Sequence, residues 1–524
     1  MVPVNEVATQ GQPRLVIRDL PPVSSQGAPE IKQPRVYYGE RDSSWIVVGA
    51  RQAEFDYPRG QTVGGSEEVV ETRWAGATGI KLDTTLSRLL FALRFRDLDL
   101  LISDQITAES QLLFHRSLAD RLPRIAPFLL YDKDPYVVVR ADGSLAYIQD
   151  AYTASDRFPH SQQFDPNVLN AAGTVPTRLN VGSFNYIRNS VKIVVDAYDG
   201  TMTFYANDPN DPLLRAWQGV FPTLFQPMSA FPDDLRPHIR VPEELFNVQT
   251  QVYGRYHVQN PLTYYSQDDL WTVPTGQTTK QSLSTEAYYV IMSLPEEDTP
   301  EFLLLQPMIP KDRPNMIAWV AARQDGDVYG ETLVYRFPTE TSIFGPAQIE
   351  AQIDADPEIS AQFTLWSQSG SEVIRGNLIV VPVGESLVYL QPVYLRSTSS
   401  KFPAFQKIIV ASPTTVVWGD TLRDALDQLL TDQAGGPGPT PTPTPTPSPS
   451  PGASPGPTAT PGPGPSLPTG DVAALVDYAN AHFELAQQAL RDGDFARYGA
   501  EIELVQQALA QLDELVGGAP SPSP

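Results

Sequence analysis

Between residues 35 and 432 the apolar positions come in short runs that alternate with polar ones and are cut by Pro and Gly. A period of two in runs of this length predicts strands. YVVVRADGSLAYI (136–148) and VKIVVDAYDGTMTFYA (191–206) set Asp142-Gly143 and Asp199-Gly200 between two such runs. An Asp-Gly pair there predicts hairpins closed by type I′ turns. NLIVVPVGESLVYLQPVYL (377–395) predicts a third hairpin, turning at Gly384-Glu385. QDAYT (149–153) and VDAYD (195–199) echo each other and suggest two related strand units.

Helical spacing shows in four places: Leu82 to Phe95, Ser103 to Arg121, Pro242 to Tyr256 and Thr421 to Leu430. The first carries Leu86, Leu89, Leu90 and Leu93 on one face. Prolines fall mostly between these runs. The fold class is therefore α+β, mainly antiparallel β-hairpins with interspersed helices.

The pattern stops at about Ala434. From there to Gly470 the chain holds little but Pro, Gly, Thr and Ser, including PTPTPTPTPSPSP (439–451). Alternating Pro fixes φ near the polyproline II value and removes every second backbone donor. At ~3.1 Å per residue, a run of this length reaches about 110 Å if fully extended. It reads as a semi-stiff spacer of the kind found in surface stalks.

Periodicity then returns. Phe495, Tyr498, Ile502, Val505, Leu509, Leu512 and Val516 alternate spacings of three and four, one stripe on a helix. Gly517 and Gly518 end it. Leu475, Ala479, Phe483, Ala486 and Leu490 form a stripe in the preceding segment, which Asp471 can cap. RDGD (491–494) lies between. This is an antiparallel helical hairpin resembling one tetratricopeptide-type repeat. A single hairpin cannot bury its apolar stripe, so it is expected to self-associate, dock, or bind a protein partner. The expected order is an extended lead (1–34), an α+β body (35–432), the spacer (433–470), the helical hairpin (471–518) and a tail (519–524).

Composition narrows the compartment and the partners. The net charge of −24 disfavours nucleic acid. There is no cysteine, hence no disulfide, thiolate nucleophile or zinc–thiolate site. No apolar run approaches the ~20 residues of a membrane span. MVPVNEVATQGQPRLVIRD lacks the basic start and apolar core of a signal peptide.

Chemistry is not marked. The five histidines, His115, His160, His238, His257 and His482, form no HExxH or HxH pair, and neither GxSxG nor GxxxxGK[ST] occurs. Acidic clusters at NDPNDP (207–212), DKDP (132–135) and DADPE (354–358) read as turns and helix caps. As calcium ligands they would bring Asp208, Asp211, Asp354 and Asp356 forward. Tyr264, Tyr265, Trp271, Tyr288 and Tyr289 read first as core, and second as a sugar platform. No catalytic, cofactor-binding or metal-binding residue is assigned, and no cofactor is expected.

Several long runs carry a resemblance: RVYYGERDSSWIVVGARQAEFDYPRG (35–60), SRLLFALRFRDLDLLIS (87–103), RIAPFLLYDKDPYVVV (124–139), DAYTASDRFPHSQ (150–162), NYIRNSVKIVVDAYDG (185–200), NMIAWVAARQDGDVYG (315–330), FGPAQIEAQIDADPEISAQFTLWSQSGSEVIRGNL (344–378) and LVYLQPVYL (387–395). In this order they resemble the C-terminal part of the bacterial Uncharacterised Protein Family zero-one-eight-two, over about residues 15 to 430. The resemblance implies an extracytoplasmic domain at the cell surface, attached to the plasma membrane by about seven transmembrane helices that precede it in the family and are absent from this chain. His160 departs from the family pattern, where Tyr is expected. The resemblance carries no reaction. A non-enzymatic assembly, scaffolding or ligand-binding module is the expected function. An exported hydrolase of envelope polymer and an accessory domain of a transporter are the competing readings.

The contrast between body and spacer generates a test. Limited proteolysis is expected to cut between about Ala434 and Gly470 and leave a stable fragment of roughly residues 30–430. Rapid loss of that fragment would mean the body does not fold on its own.

Overall fold

The computed structural model describes residues 3–433 except 8–12, 26, 42–43, 64–65, 166–181, 279–280, 285–286, 295–296, 298, 339, 341, 368–369, 384–385 and 398–402. Beyond these it describes 472–491, 497, 500–502, 504–505, 507–508 and 511. The chain divides into two compact units, Met1–Thr440 and Pro441–Pro524. The expected spacer, 433–470, lies outside the described residues apart from Gln433.

The first unit is built on three main sheets of five or six strands, with smaller ones beside them, and the class is α+β. The first sheet runs Leu130–Tyr131, Leu145–Ser155, Tyr186–Asp196, Met202–Ala206, Phe225–Pro227, with Tyr136–Val139 also on Leu145–Ser155. Only its last pair is parallel. The second runs Trp271–Thr272, Pro300–Pro310, Ala318–Arg323, Thr332–Arg336, with Tyr288–Ser293 on Pro300–Pro310. The third runs Ser371–Arg375, Ser386–Ser397, Ala404–Ala411, Val416–Gly419, with Ile379–Val383 on Ser386–Ser397. All pairs in the second and third sheets are antiparallel.

The run VKIVVDA is apolar on both strand faces because both are covered. Val191, Ile193 and Val195 pack with the helices Leu118–Ile125 and Pro212–Val220. Val194 faces the other way, onto Ile148, Phe231 and Leu235. The second and third sheets share a core around Leu303, Trp319, Tyr389 and Ile409, sealed by Ile349, Ile353 and Ile359 of the helices Pro346–Ala355 and Pro357–Trp366.

The hairpins form where the pattern places them, but with different turns. At Asp142-Gly143 only Gly143 has positive φ, +84°. Its N–H donates to the Arg140 carbonyl at 2.9 Å, and the Arg140 N–H to the Ser144 carbonyl at 2.9 Å. That is a three-residue loop ending in a glycine bulge rather than a type I′ turn. Asp142 Oδ1 accepts from the Ser144 N–H at 2.8 Å, so its side chain organises the loop instead of its backbone taking positive φ. At Asp199-Gly200 the Gly200 N–H reaches back to the Asp196 carbonyl at 2.9 Å, one residue further than a type I′ turn allows. The third hairpin pairs as far as Val383 and Ser386, and Gly384-Glu385 falls outside the described residues. The echoing segments are not separate units. Their strands are direct neighbours, with Gln149 opposite Ile193 and Asp150 opposite Lys192.

Helices occur at Thr85–Phe95, Glu243–Tyr256 and Leu422–Gln433, close to the expected spans. The first starts at a Thr84 cap, whose hydroxyl accepts from the Ser87 N–H at 3.1 Å. The helix expected over Ser103 to Arg121 does not form. In its place are the strand Gln111–Leu113 and the start of Leu118–Ile125, preceded by the single turn Asp99–Ile102. Ser110 diverts the backbone: its Oγ accepts from the Thr107 N–H at 2.9 Å and donates to the Gly49 carbonyl at 3.1 Å. Gln111–Leu113 then pairs with both Ile46–Val48 and Ile80–Lys81. His115, at φ +51°, blocks helix propagation before Leu118.

In the second unit Val472–Arg491 is helical. Leu475 and Ala479 pack on Ala508 and Val505, and His482 Nδ1 lies 2.6 Å from Glu501 Oε2. Contacts therefore run in opposite senses along the two segments, as an antiparallel helical hairpin requires. The stripe is rotated from the expected one: His482 faces inward and Phe483 is 48% exposed. His482 and Glu501 pair on that inward face, while Phe483 lies outside it. The side chains of Ala486, Leu490, Leu509 and Leu512, and the residues Asp471 and 492–496, lie outside the described residues.

One charged pair sits wholly inside the first unit. Lys192, with no solvent exposure, donates to Asp150 Oδ1 at 2.5 Å across the two central strands. Burial works against its ammonium, but the Asp150 carboxylate and the Tyr329 hydroxyl outweigh it, and its pKa lies above the usual value. Breaking such a pair on one side strands a buried charge. Lys192→Met is expected to cost about 3–5 kcal/mol in urea unfolding. Adding Asp150→Asn should restore a large part of it. Equal stability of the single and double variants would refute the pairing.

Candidate functional site

The helix Glu243–Tyr256 begins after Pro242 with Glu243 and Glu244 in its first turn, where carboxylates suit the dipole. Phe246 and Val248 hold it to the unit's interior. Gly254 brings its last turn against the strand Trp271–Thr272, because a Cβ there would meet the Trp271 carbonyl oxygen at 2.5 Å. Beside this helix opens a cleft of about 1220 Å³.

The helix supplies Val248, Gln251, Val252, Arg255 and Tyr256 to one wall. Trp271 to Pro274 and Met308 to Pro314 form another, without Pro310. Phe158 to Asp165 and Phe184 to Ile187 close it. Asn185 fixes the 158–161 loop: its Nδ2 donates to the carbonyls of Phe158 at 2.8 Å and Ser161 at 3.1 Å, and its Oδ1 accepts from the Phe158 N–H at 2.9 Å. Phe158 stacks on Tyr186 with ring centroids 5.5 Å apart, and Phe164 lies 5.3 Å from Phe184. His160, the departure from the family pattern, sits on this rim at φ +60°.

Trp271 is braced from behind. The His257 ring lies 3.9 Å from it, and His257 Nε2 is 3.3 Å from Asp269 Oδ2. Trp271 Nε1 donates to Asp269 Oδ1 at 3.0 Å, and Arg336 covers the ring at 4.9 Å.

The polar lining is more cationic than the chain as a whole. Arg255, Lys311 and Arg313 face the cleft with Asp165 and Asp312. None of the three cations is in an ion pair among the described residues. Gln251 adds a buried Nε2 with no acceptor, and Asn247, one turn earlier on the same helix, a second orphan amide nitrogen. Buried donors of this kind cost free energy until a partner arrives. The cleft thus combines apolar walls with the unspent Gln251 donor and positive charge, while Asn247 does not line it.

The acidic residues flagged in the sequence are engaged elsewhere. Asp211 caps the helix Pro212–Val220, and Asp208 pairs with Arg188 at 2.6 Å. Asp356 caps Pro357–Trp366, and Asp354 pairs with Arg375 at 2.5 Å. Asp132 takes the Tyr152 hydroxyl and Asp134 pairs with Arg240 at 2.6 Å. Among the described residues no three His, Asp or Glu side chains are placed to hold a metal. The flagged aromatics do not form one platform. Trp271 alone lines the cleft. Tyr288 is core, its hydroxyl donating to the Val380 carbonyl at 2.8 Å, and the Tyr289 hydroxyl donates to the Val241 carbonyl at 2.9 Å. Tyr264 and Tyr265 lie on the exposed helix Pro261–Ser266. Of the remaining histidines, His115 pairs with Asp120 and His238 lies near Arg140 and Asp234, away from the cleft.

The family profile described as Uncharacterised protein family (UPF0182) matches residues 1–366. The chain belongs to UPF0182. A UPF0182 protein of Desulforamulus reducens is 40% identical over 98% of this chain and 52% of its own length. One from Moorella thermoacetica is also 40% identical, over 98% and 52%. One from Trichodesmium erythraeum is 43% identical over 82% and 46%. The UPF0182 chain described here thus spans about half the length of the curated relatives it matches. A solved structure from Bacteroides ovatus aligns over 57% of this chain and 58% of its own at 11% identity with a TM-score of 0.15, too low for a shared fold. No described helix is long and apolar enough to cross a membrane.

Asp211 supports the cleft through Tyr186, whose hydroxyl donates to Oδ1 at 2.5 Å. Thr153 and Ser190 hydroxyls donate to Oδ2 at 2.7 and 2.8 Å, and the Leu213 and Leu214 N–H groups at 3.2 and 2.9 Å complete its shell. Burial alone would raise its pKa; these donors outweigh burial and hold the carboxyl below its usual 3.8. The carboxylate's contribution is therefore complete above 3.8 and is lost as pH falls through the lower folded value. Asp211→Asn is expected to lose about 1–3 kcal/mol at neutral pH. In urea unfolding across pH, that gap should narrow in acid. A gap independent of pH would show that the charge is not what matters.

Proposed function

We propose that this UPF0182 chain is the extracytoplasmic, non-enzymatic ligand-binding part of a membrane-protein family, and that the cleft beside Glu243–Tyr256 is its binding site. The observation that carries the reading is the pairing of apolar walls with the unpartnered Gln251 amide and the cations Arg255, Lys311 and Arg313. Such a site suits a molecule with an apolar body and an anionic or carbonyl head. Commitment of the flagged carboxylates to caps and ion pairs favours binding over hydrolysis. The Pro/Thr/Ser-rich run favours a location outside the cytoplasm. The C-terminal helical hairpin is the element proposed for self-association or for a protein partner.

The test uses the full chain, with laurate and a lysophospholipid as probes in tryptophan-fluorescence titrations. Saturable binding of at least one is expected. Arg255→Ala removes a charge-assisted hydrogen bond of about 1.5–3 kcal/mol, a loss of affinity of roughly 10- to 100-fold. Val252→Trp should narrow the cleft at the helix wall and weaken binding without lowering the melting temperature. No saturable binding of either probe, or binding indifferent to both substitutions, would overturn the assignment.

A further inference from the structure

The lining of the cleft is graded with burial. Phe184, Val248, Trp271, Val273 and Met308 are its floor, all buried and none charged. Gln251 and Arg255, four residues apart on the helix Glu243–Tyr256, are half-buried. Lys311 and Arg313 stand exposed at the mouth. The turn that carries these two is fixed by its backbone: the Lys311 N–H donates to the Leu270 carbonyl at 2.7 Å, and the Arg313 N–H to the Pro310 carbonyl at 3.1 Å. Polar demand therefore arises at two levels. The buried Gln251 Nε2 lacks an acceptor at mid-depth. The cations lack an anion there and further out.

We infer that the cleft takes an acyl glycerophospholipid with a phosphodiester head, bound tail first; this rests on the cleft being a binding site. Each part of such a molecule answers one level. The acyl chain covers the apolar floor. The ester carbonyl, which only accepts, meets the Gln251 amide. The phosphate lies beyond it, on Arg255, Lys311 and Arg313, and guanidinium groups present paired donors that suit phosphate oxygens. Side chains four residues apart on a helix start about 5–6 Å from each other, a step of the same order as the glycerol carbons that part ester from phosphate. A fatty acid carries all its acceptors at one point and serves one level only. Charge selects the diester. Three cations in the lining stand against Asp165 and Asp312, an excess of one, which the single charge of a phosphodiester neutralises. A phosphomonoester carries about −1.5 to −2 and would leave the site negative in a chain of net charge −24.

The full chain is titrated by calorimetry with lauroyl lysophosphatidylglycerol, with its dodecyl ether analogue, which lacks only the carbonyl, and with laurate. The ester lipid is expected to bind about 3- to 10-fold more tightly than the ether, the worth of one neutral hydrogen bond, and more tightly than laurate. That comparison needs no variant. Gln251→Leu keeps the side-chain volume and removes the donor, so the ester-to-ether ratio should fall to parity. Lys311→Ala with Arg313→Ala should weaken both phosphodiester lipids several-fold. Inorganic phosphate, at the concentration that saturates the site with lipid, should not displace it. Equal affinity of ester and ether, a ratio that survives Gln251→Leu, or laurate binding as tightly as the ester overturns the lipid assignment and leaves the cleft a binding site. Displacement by phosphate overturns it in favour of a free anion. If neither lipid nor laurate binds saturably, the binding reading itself falls, and this inference with it.

Discussion

Lys192 is a charge with no access to water, and the arrangement of the first two sheets follows from the need to satisfy it. Its ammonium binds Asp150 on the neighbouring strand and lies 3.3 Å from the Arg240 carbonyl, with the Tyr329 ring 5.8 Å away. Asp150 also accepts from Asn189 Nδ2 at 3.0 Å. The Tyr329 hydroxyl donates to the same Arg240 carbonyl at 3.1 Å. The Val241 N–H donates to Gln324 Oε1 at 2.5 Å. Residues 240 and 241 are thus gripped by both sheets at once. Arg240 is itself sandwiched, 4.0 Å over Tyr136 and 5.2 Å over Tyr289. A slip of one residue between the central strands would send Lys192 to the other face and leave two buried charges unpaired. Register is therefore specified by electrostatics as well as by apolar packing.

The helix that walls the cleft starts directly after this grip, at Glu243. Its position is inherited from the polar seam, and Gly254 at its far end seats it on Trp271. The cleft is then a consequence of how the two sheets are joined, which is why its lining comes from six separated stretches of chain.

What the sequence discloses divides along the same line. Elements set by local pattern were legible: the hairpins, the helices at 85–95, 243–256 and 422–433, and the antiparallel C-terminal hairpin. Turn types were not, because side chains take over backbone donors that a residue pattern does not show: Asp142 Oδ1 accepts from the Ser144 N–H, and Asp196 Oδ1 from the Tyr198 and Asp199 N–H groups at 2.8 and 2.9 Å. In the segment 103–121 the spacing of Leu112, Leu113 and Leu118 suits a helix and equally a buried strand followed by one; only the pairing partners Ile46–Val48 and Ile80–Lys81 decide. The cleft cations, Arg255, Lys311 and Arg313, carry no local signature. Asn247 and Gln251 did offer one, two amides four residues apart on a helix otherwise packed by Phe246 and Val248. Family membership was legible from long ordered runs, and it names no chemistry.

The contact at Gly254 has a consequence for how such a site can diversify. With the Trp271 carbonyl where a methyl group would stand, the helix cannot be raised, lowered or rotated by exchange of that residue. The wall it forms has a fixed height. Changes in what fits come most readily from the exposed rim positions, residues 159–163 and 311–313, where side chains can be exchanged without disturbing a packed layer. The two walls therefore answer to substitution under different rules: one is a template fixed by sterics, the other an editable edge.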